Sequence, residues 1–223
     1  KCWGSNGHGQ LGLEDDADRG DAATEMGDTL PVVNLCTGRT ALNIVLGDNS
    51  TCAHLDNNQV KCFGLGSARL GYGDTIVRGI GAGQMGGSLP AINLGINRYP
   101  LQLAASEMVV CAILDTDSVK CWGNGSLGGL GSEATAPLGD GNGEMGDSLP
   151  FVNLGVTRSA RSISIGDQFV CVHLDNGTIK CWGYNSRGQL GQGDLGAGAL
   201  GTNKSRGDEA GEMGANLPAI SNE

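Results

Sequence analysis

Eight cysteines are the residues in this sequence whose type and spacing could carry chemistry, and six of them fall into couples ten positions apart: Cys52 with Cys62, Cys111 with Cys121, and Cys171 with Cys181. Thiols can bind metal, attack a carbonyl or bridge. Zinc binding asks for C-x-x-C or Cys/His clusters, and neither occurs. A nucleophile asks for a base and an orienting acid, and no serine or cysteine stands in such a setting, so the chain is read as non-enzymatic. Bridging fits. If Cys171 faces Cys181 across a hairpin, Leu174 faces Thr178 and the turn is Asp175, Asn176 and Gly177, whose last position needs a positive φ. The same register puts Asn58 and Asp117 at that position in the other couples, and these residues tolerate it best after glycine. The cysteines then land on a non-hydrogen-bonded pair, where Cα atoms lie ~4.5 Å apart and a disulfide closes readily. Three such bridges imply the secretory route or a periplasm-like compartment, and an extracellular or cell-surface location is expected.

Two cysteines stay unresolved. Cys2 would pair with a position ten residues upstream, before the sequence begins, and Cys36 replaces the glycine found at Gly95 and Gly155. They bridge each other, or both find partners elsewhere.

The remaining candidates are acids and asparagines. Asp140, Asn142, Glu144 and Asp147 form a loose oxygen-rich series, repeated as Asp21, Glu25 and Asp28, and such a series can wrap calcium. The matching positions Ile80, Gln84 and Gly87 have little to offer a cation, so a solvated acidic loop is the favoured reading and no cofactor is expected; calcium is the alternative. Four N-x-S/T sequons, at Asn49, Asn124, Asn176 and Asn203, fall in turns or loops and are candidate glycan acceptors.

The elements that hold these residues are repeats. KCWG at Lys1 returns as KCFG at Lys61 and as KCWG at Lys120 and Lys180. A second marker, EMGD or a variant followed by Leu-Pro, keeps the same beat. The repeats run over 1–60, 61–119, 120–179 and, incomplete, 180–223, as one array. In the third copy four strands are expected, at 150–154, 162–166, 168–174 and 178–183. The stretch 168–174 is apolar on both faces, with Val170, Val172 and Leu174 on one and Phe169 and Cys171 on the other, so it must be covered twice. Sheets stacked around an axis meet that demand. Trp3, Phe63, Trp122 and Trp182 share one repeat position and suit packing between blades better than stacking on sugar. His54 and His173 share another with Ile113, which again argues for packing.

The chain resembles the regulator of chromosome condensation repeat family. The resemblance rests on CWG-x-N-x-x-G-Q-L-G, seen from Cys2 and from Cys181, with eroded versions from Cys62 and Cys121. It implies an all-β fold of β-propeller blades of four antiparallel strands, here about three complete blades plus partial blades at both ends, the latter a closing strand at 1–4 and an opening strand near 217–221. Propellers of this family commonly have seven blades, so the segment is expected to be part of a larger propeller or assembly. The paired cysteines and acidic balance depart from the family's nuclear exchange factors and point to an extracellular, disulfide-bearing branch.

Composition narrows the partners. Aromatics make up 4% against 40 glycines, which suits short strands and tight turns. The net charge of −10 repels nucleic acid. No apolar run reaches the ~20 residues of a membrane-spanning helix. The sequence opens at Lys1 inside a repeat, so any leader peptide is expected to lie outside it. The reading that results is a structural or interaction module of a surface or secreted assembly, filamentous in one version, whose partners are other protein chains or copies of itself. A propeller that binds glycan or protein, assisted by calcium, is the alternative, and a guanine-nucleotide exchange regulator with reduced thiols is the second.

Overall fold

The hairpin registers dictated by the cysteine couples organise the whole chain. In a computed structural model that describes residues 1–193 and 205–220, the protein is all-β apart from short 3-10 turns. The first sheet orders β1 (Ala41–Leu46), β2 (Ser50–Leu55) and β3 (Val60–Gly64). The second orders β4 (Pro100–Ala105), β5 (Val109–Leu114) and β6 (Val119–Gly123). The third joins β7 (Ala160–Ile165), β8 (Phe169–Leu174) and β9 (Ile179–Tyr184), with β10 (Ser205–Arg206) and β11 (Ala219–Ile220) both paired to β9. All pairings are antiparallel. The first strand of each sheet carries an irregularity at the same place, between Ala41 and Asn43, Pro100 and Gln102, and Ala160 and Ser162.

Each sheet's second hairpin closes on the expected turn. Leu55 N–H donates to the Gln59 carbonyl, Leu114 to Ser118 and Leu174 to Thr178. The last turn residue is left-handed in all three: Asn58 at φ 65°, Asp117 at 58° and Gly177 at 82°. Glycine adopts this conformation without penalty, and Asn and Asp carry a short polar side chain that makes it tolerable.

The fourth strand differs from expectation. Residues 150–154 do not join 162–166; Phe151 pairs with Lys120, and Val152 N–H donates to the Val119 carbonyl, so the segment closes the second sheet instead. Gly155 and Thr157, both at positive φ, then turn the chain away toward β7. Val152 and Leu154 bury themselves in the apolar layer that the second and third sheets share. The outer edge is therefore two short pieces either side of the glycine-rich insert: Leu138 pairs with Gly123 before it and Phe151 with Lys120 after it. In the third sheet the corresponding pieces are β10 and β11. The segment expected to open a new blade near 217–221 thus closes the third one. The lysine of each KCWG motif sits on a sheet's third strand, so units counted from Lys61, Lys120 or Lys180 straddle two sheets.

The sheets pack face to face. Cys52, Leu103, Val110, Ala112 and Trp122 belong to the layer between the first and second, and Cys111, Ile163, Val170, Val172 and Trp182 to the layer between the second and third. Gln102 locks the inner strands together: its Nε2 donates to the Ile163 carbonyl at 3.0 Å while its Oε1 accepts from Ile163 N–H at 3.1 Å. Burial on both faces explains why 109–114 lacks the apolar-polar alternation of a half-solvated sheet, whereas 169–174, on the outermost sheet, buries Val170, Val172 and Leu174 and leaves its other face partly open, so the expected double covering is not met there. Among the described residues the sheets form an open arc, not a closed ring.

Candidate functional site

Among the described residues no single cleft gathers reactive groups; the same set of contacts is built again at each blade. Its covalent part is the disulfide. Cys52 is joined to Cys62, Cys111 to Cys121 and Cys171 to Cys181, each across the second hairpin with a Cα–Cα distance of 4.1 Å. Each couple is directly opposed in register. Direct opposition on a non-hydrogen-bonded pair brings the backbones close enough for a bridge without distorting the ladder. Cys2 and Cys36 are unpaired and half-buried. Burial raises the Cys2 thiol above its ordinary value, only partly offset by the chain's amino terminus.

The polar part was not expected from the sequence. The lysines at three of the four motif positions, Lys61, Lys120 and Lys180, are buried and turn their ammonium groups onto backbone carbonyls 25 to 34 residues away. Lys61 donates to Gly86 at 2.6 Å; Lys120 to Gly146 at 2.6 Å and Leu94 at 3.1 Å; Lys180 to Gly214 at 2.5 Å and Leu154 at 3.1 Å. Lys1 makes the equivalent bond to Gly27 at 2.6 Å, although exposed. Each lysine thus clamps the end of a glycine-rich insert onto the sheet. Burial pushes the amines of Lys61, Lys120 and Lys180 below the ordinary lysine value. A buried cation is costly unless its donors find partners, and the carbonyls supply one acceptor to Lys61 and two each to Lys120 and Lys180.

The acids of the inserts serve the same architecture. Glu144 Oε2 accepts from the N–H groups of Gly139 and Gly141, both at 2.8 Å. Glu25 does so for Gly20 and Ala22, Glu212 for Gly207, Asp208 and Glu209, and Gln84 for Ile80 and Gly81. A glutamine performing the glutamate's task shows that the amide-accepting oxygen is what the position needs, not a charge. These bonds hold the Glu144 carboxyl below its ordinary value. Asp147 Oδ1 reaches Ile96 N–H at 3.1 Å, and Asn142 lies beside a hollow of ≈ 370 Å³ with Tyr72, Arg78 and Asn93. The four candidate cation ligands are therefore not brought to one point, and among the described residues no three His, Cys, Asp or Glu side chains converge as a metal site. That hollow is lined without a carboxylate, thiol or imidazole.

Between blades the aromatic position does the packing. Trp122 and Trp182 are fully buried, with Nε1 donating to the Arg69 carbonyl at 2.9 Å and the Gly129 carbonyl at 3.0 Å, both in the loop of the preceding blade. The G-L-G loop comes so close that a β-carbon on Gly71 or Gly131 would fall within 3 Å of the indole nitrogen. Trp3, at the same repeat position, is 62% exposed. His54 and Ile113 are buried on the face turned toward the next blade, whereas His173 on the last sheet is exposed.

The sequons differ in setting. Asn124 and Asn176 are exposed turn residues whose Oδ1 accepts from the N–H of Ser126 and Thr178. Asn49 precedes β2, and its Thr51 is buried with Oγ1 donating to the Gln10 carbonyl. Asn203 lies outside the described residues. Among those described, no helix is long and apolar enough to cross a membrane.

Comparison with known proteins agrees with this architecture. Residues 160–189, covering β7 to β9 and the loop beyond, match the regulator of chromosome condensation (RCC1) repeat. The chain is similar in fold to human WBSCR16, with a TM-score of 0.59 and 15% identity over 83% of this chain and 44% of that one. It is also similar to yeast RCC1 (Prp20), solved bound to Kap60, with a TM-score of 0.53 and 19% identity over 69% of this chain and 32% of that one. The chain therefore spans less than half the length of either. At those identities the likeness establishes the fold. The matched segment, the recurring signature and three sheets in one register make the chain similar to a run of regulator of chromosome condensation-type propeller repeats, and each of the three sheets is stapled by its own disulfide.

Proposed function

We propose that this chain is a non-enzymatic extracellular interaction module, a disulfide-stapled stack of propeller blades that takes part in a surface or secreted assembly through contacts with other protein chains. The observation that carries the reading is the recurrence of one disulfide at one register in three successive blades. Such bonds form and persist in oxidising compartments and are rare in cytosol and nucleus. An all-β propeller presenting short loops is a binding scaffold more often than a catalyst. Yeast RCC1, which is similar in fold, is itself bound by another protein, Kap60. The acidic balance favours protein over nucleic-acid partners.

The test is the state of the natural protein. The natural protein should be found in culture medium or at the cell surface and elute larger than the mass of its own polypeptide. Recovery from cytosol or nucleus with reduced thiols would overturn the reading. In a eukaryotic source, glycans at Asn124 and Asn176 are expected, since both sequons are exposed on turns. Asn176→Gln should then remove one glycan's mass from the intact protein and leave binding unaltered; an unchanged mass contradicts occupancy there.

A further inference from the structure

Three loops reach across to the insert of the following sheet, and they differ at one residue. Leu11-Gly12-Leu13-Glu14, Leu70-Gly71-Tyr72-Gly73 and Leu130-Gly131-Ser132-Glu133 align position by position. Their last residues share a backbone. The N–H groups of Glu14, Gly73 and Glu133 donate at 2.9 Å to the carbonyls of Gly79, Gly139 and Gly207, and all three residues are left-handed, at φ 62°, 73° and 57°. That conformation suits glycine and is costly for glutamate, so a glutamate there is held for its side chain. Its task is to accept a backbone bond: Glu14 Oε1 accepts from Met85 N–H at 2.8 Å and Glu133 Oε1 from Met213 N–H at 2.9 Å.

Between the first and second sheets that carboxylate is missing. Gly73 has no side chain to reach Met145, whose N–H meets no acceptor among the described residues. Met85 and Met213 are 3% and 2% exposed, whereas Met145 is only half-buried. Gly73 and Met145 both stand on the wall of the ≈ 370 Å³ hollow, with Tyr72, Arg78, Asn93 and Asn142. The whole wall lies within residues 71–145, on the outer edge of the first sheet and the insert of the second. Acids of the same segments are engaged elsewhere: both Asp74 oxygens accept from Arg78, Glu144 Oε2 from Gly139 and Gly141 N–H, and Asp147 Oδ1 from Ile96 N–H.

We propose that this hollow binds a carboxylate from another molecule, carried on a short aliphatic arm such as a glutamyl side chain, and that Met145 N–H is its donor. The chain's own glutamates show at the two sister interfaces that the amide at this position takes a carboxylate oxygen. A hydrogen bond to an ionised oxygen is stronger than one between neutral groups, which favours a carboxylate over an amide or hydroxyl. A second carboxylate beside Glu144 has a precedent: Glu133 reaches Met213 next to Glu212, the residue that caps the third sheet's insert as Glu144 caps the second's. The site goes beyond the interaction-module reading, because binding at this amide does not depend on the compartment in which the protein resides.

The probe is sodium propionate, the fragment by which glutamate exceeds glycine. It is titrated into the 223-residue chain isotopically labelled at the amides of its five methionines, with Met145→Leu assigning the resonance and propionamide and sodium chloride as controls. The expected result is a saturable shift of the Met145 amide alone, toward the resonances of Met85 and Met213, and none with propionamide. Gly73→Glu should produce that shift without ligand and weaken propionate binding by at least about tenfold. Gly73→Ala, which shares the crowding of a β-carbon 2.9 Å from the Gly141 carbonyl oxygen, should keep the response. A peptide with one central glutamate, set against its glutamine counterpart, separates the sources. Binding of the glutamate peptide alone assigns the carboxylate to a polypeptide side chain, and propionate binding without either peptide assigns it to a free small acid. An unmoved Met145 amide, with only water in the hollow, would overturn the inference. So would a shift shared by Met26, a shift given equally by propionamide, or a full response in folded Gly73→Glu. If Gly73→Glu does not fold, the titration of the unaltered chain decides alone.

Discussion

At the scale of single residues, Lys120 shows how a side chain can serve the fold from a position that reads as ordinary. In the sequence it is the first letter of a recurring tetrapeptide, and nothing local tells whether its amine faces water. Its partners, the Leu94 and Gly146 carbonyls, are both 26 residues away, so the clamp exists only once the insert has folded back. The Lys120→Met variant keeps the stem and removes the donors, leaving two buried carbonyls unmet; a loss of about 2 to 3 kcal/mol in urea unfolding is expected. A change below about 0.5 kcal/mol, the usual size for surface substitutions, would contradict the clamp. Tyr72 gives a pH signature. Its hydroxyl donates to the Cys62 and Pro90 carbonyls and accepts from Cys62 N–H, and burial raises its phenol well above the ordinary range. A folded-state value above the unfolded one means the stabilisation is whole below the unfolded value of ~10 and declines as pH rises past it. The buried lysines act in the opposite sense, because their lowered folded values relieve a cost as pH rises. Comparing the protein with Tyr72→Phe between pH 9 and 11 isolates the tyrosine: the variant should lose less stability over that interval. Parallel curves would refute the assignment.

Among the elements, the second hairpin was the most legible. Ten-residue spacing and period-two alternation fix the register, and once it is fixed the turn residues fall at Asn58, Asp117 and Gly177, which the structure places at positive φ. Replacing Asp117 by valine puts a β-branched residue there and should cost about 1 to 2 kcal/mol. Removing Cys111 and Cys121 together, as serines, should cost about 3 kcal/mol by the chain-entropy argument for so short a loop. Calorimetry of both variants checks these values; losses near zero would show that the hairpin holds without either device. The fourth strand was not legible. Residues 150–154 have the composition of a strand, but which sheet they join depends on the path of an insert whose glycines carry no apolar pattern. The task of the acids there was not legible for the same reason, since nothing in the sequence shows that the Glu144 oxygen caps its own turn.

For the molecule as a whole, the sequence revealed that a unit repeats and that its middle strand is rich in apolar residues on both faces, which suffices to imply stacked sheets, although the outermost third sheet is covered on one face only. It did not reveal how neighbouring blades grip one another, because those contacts join a side chain to a backbone 53 residues away, as in Trp182 to Gly129. Trp182→Ala should destabilise by about 3 to 5 kcal/mol and loosen the second interface before the first. Hydrogen exchange resolved by sheet would show this, and uniform loosening of all three sheets would not agree. The three bridges underlie both the oxidising address and the blade-by-blade packing. The chain, secreted from a cell and alkylated without reductant under denaturing conditions, should yield peptides joined as Cys52–Cys62, Cys111–Cys121 and Cys171–Cys181, with label on Cys2 and Cys36 alone. Label on all eight cysteines, or bridges linking different hairpins, would contradict both the oxidising address and the blade-by-blade architecture.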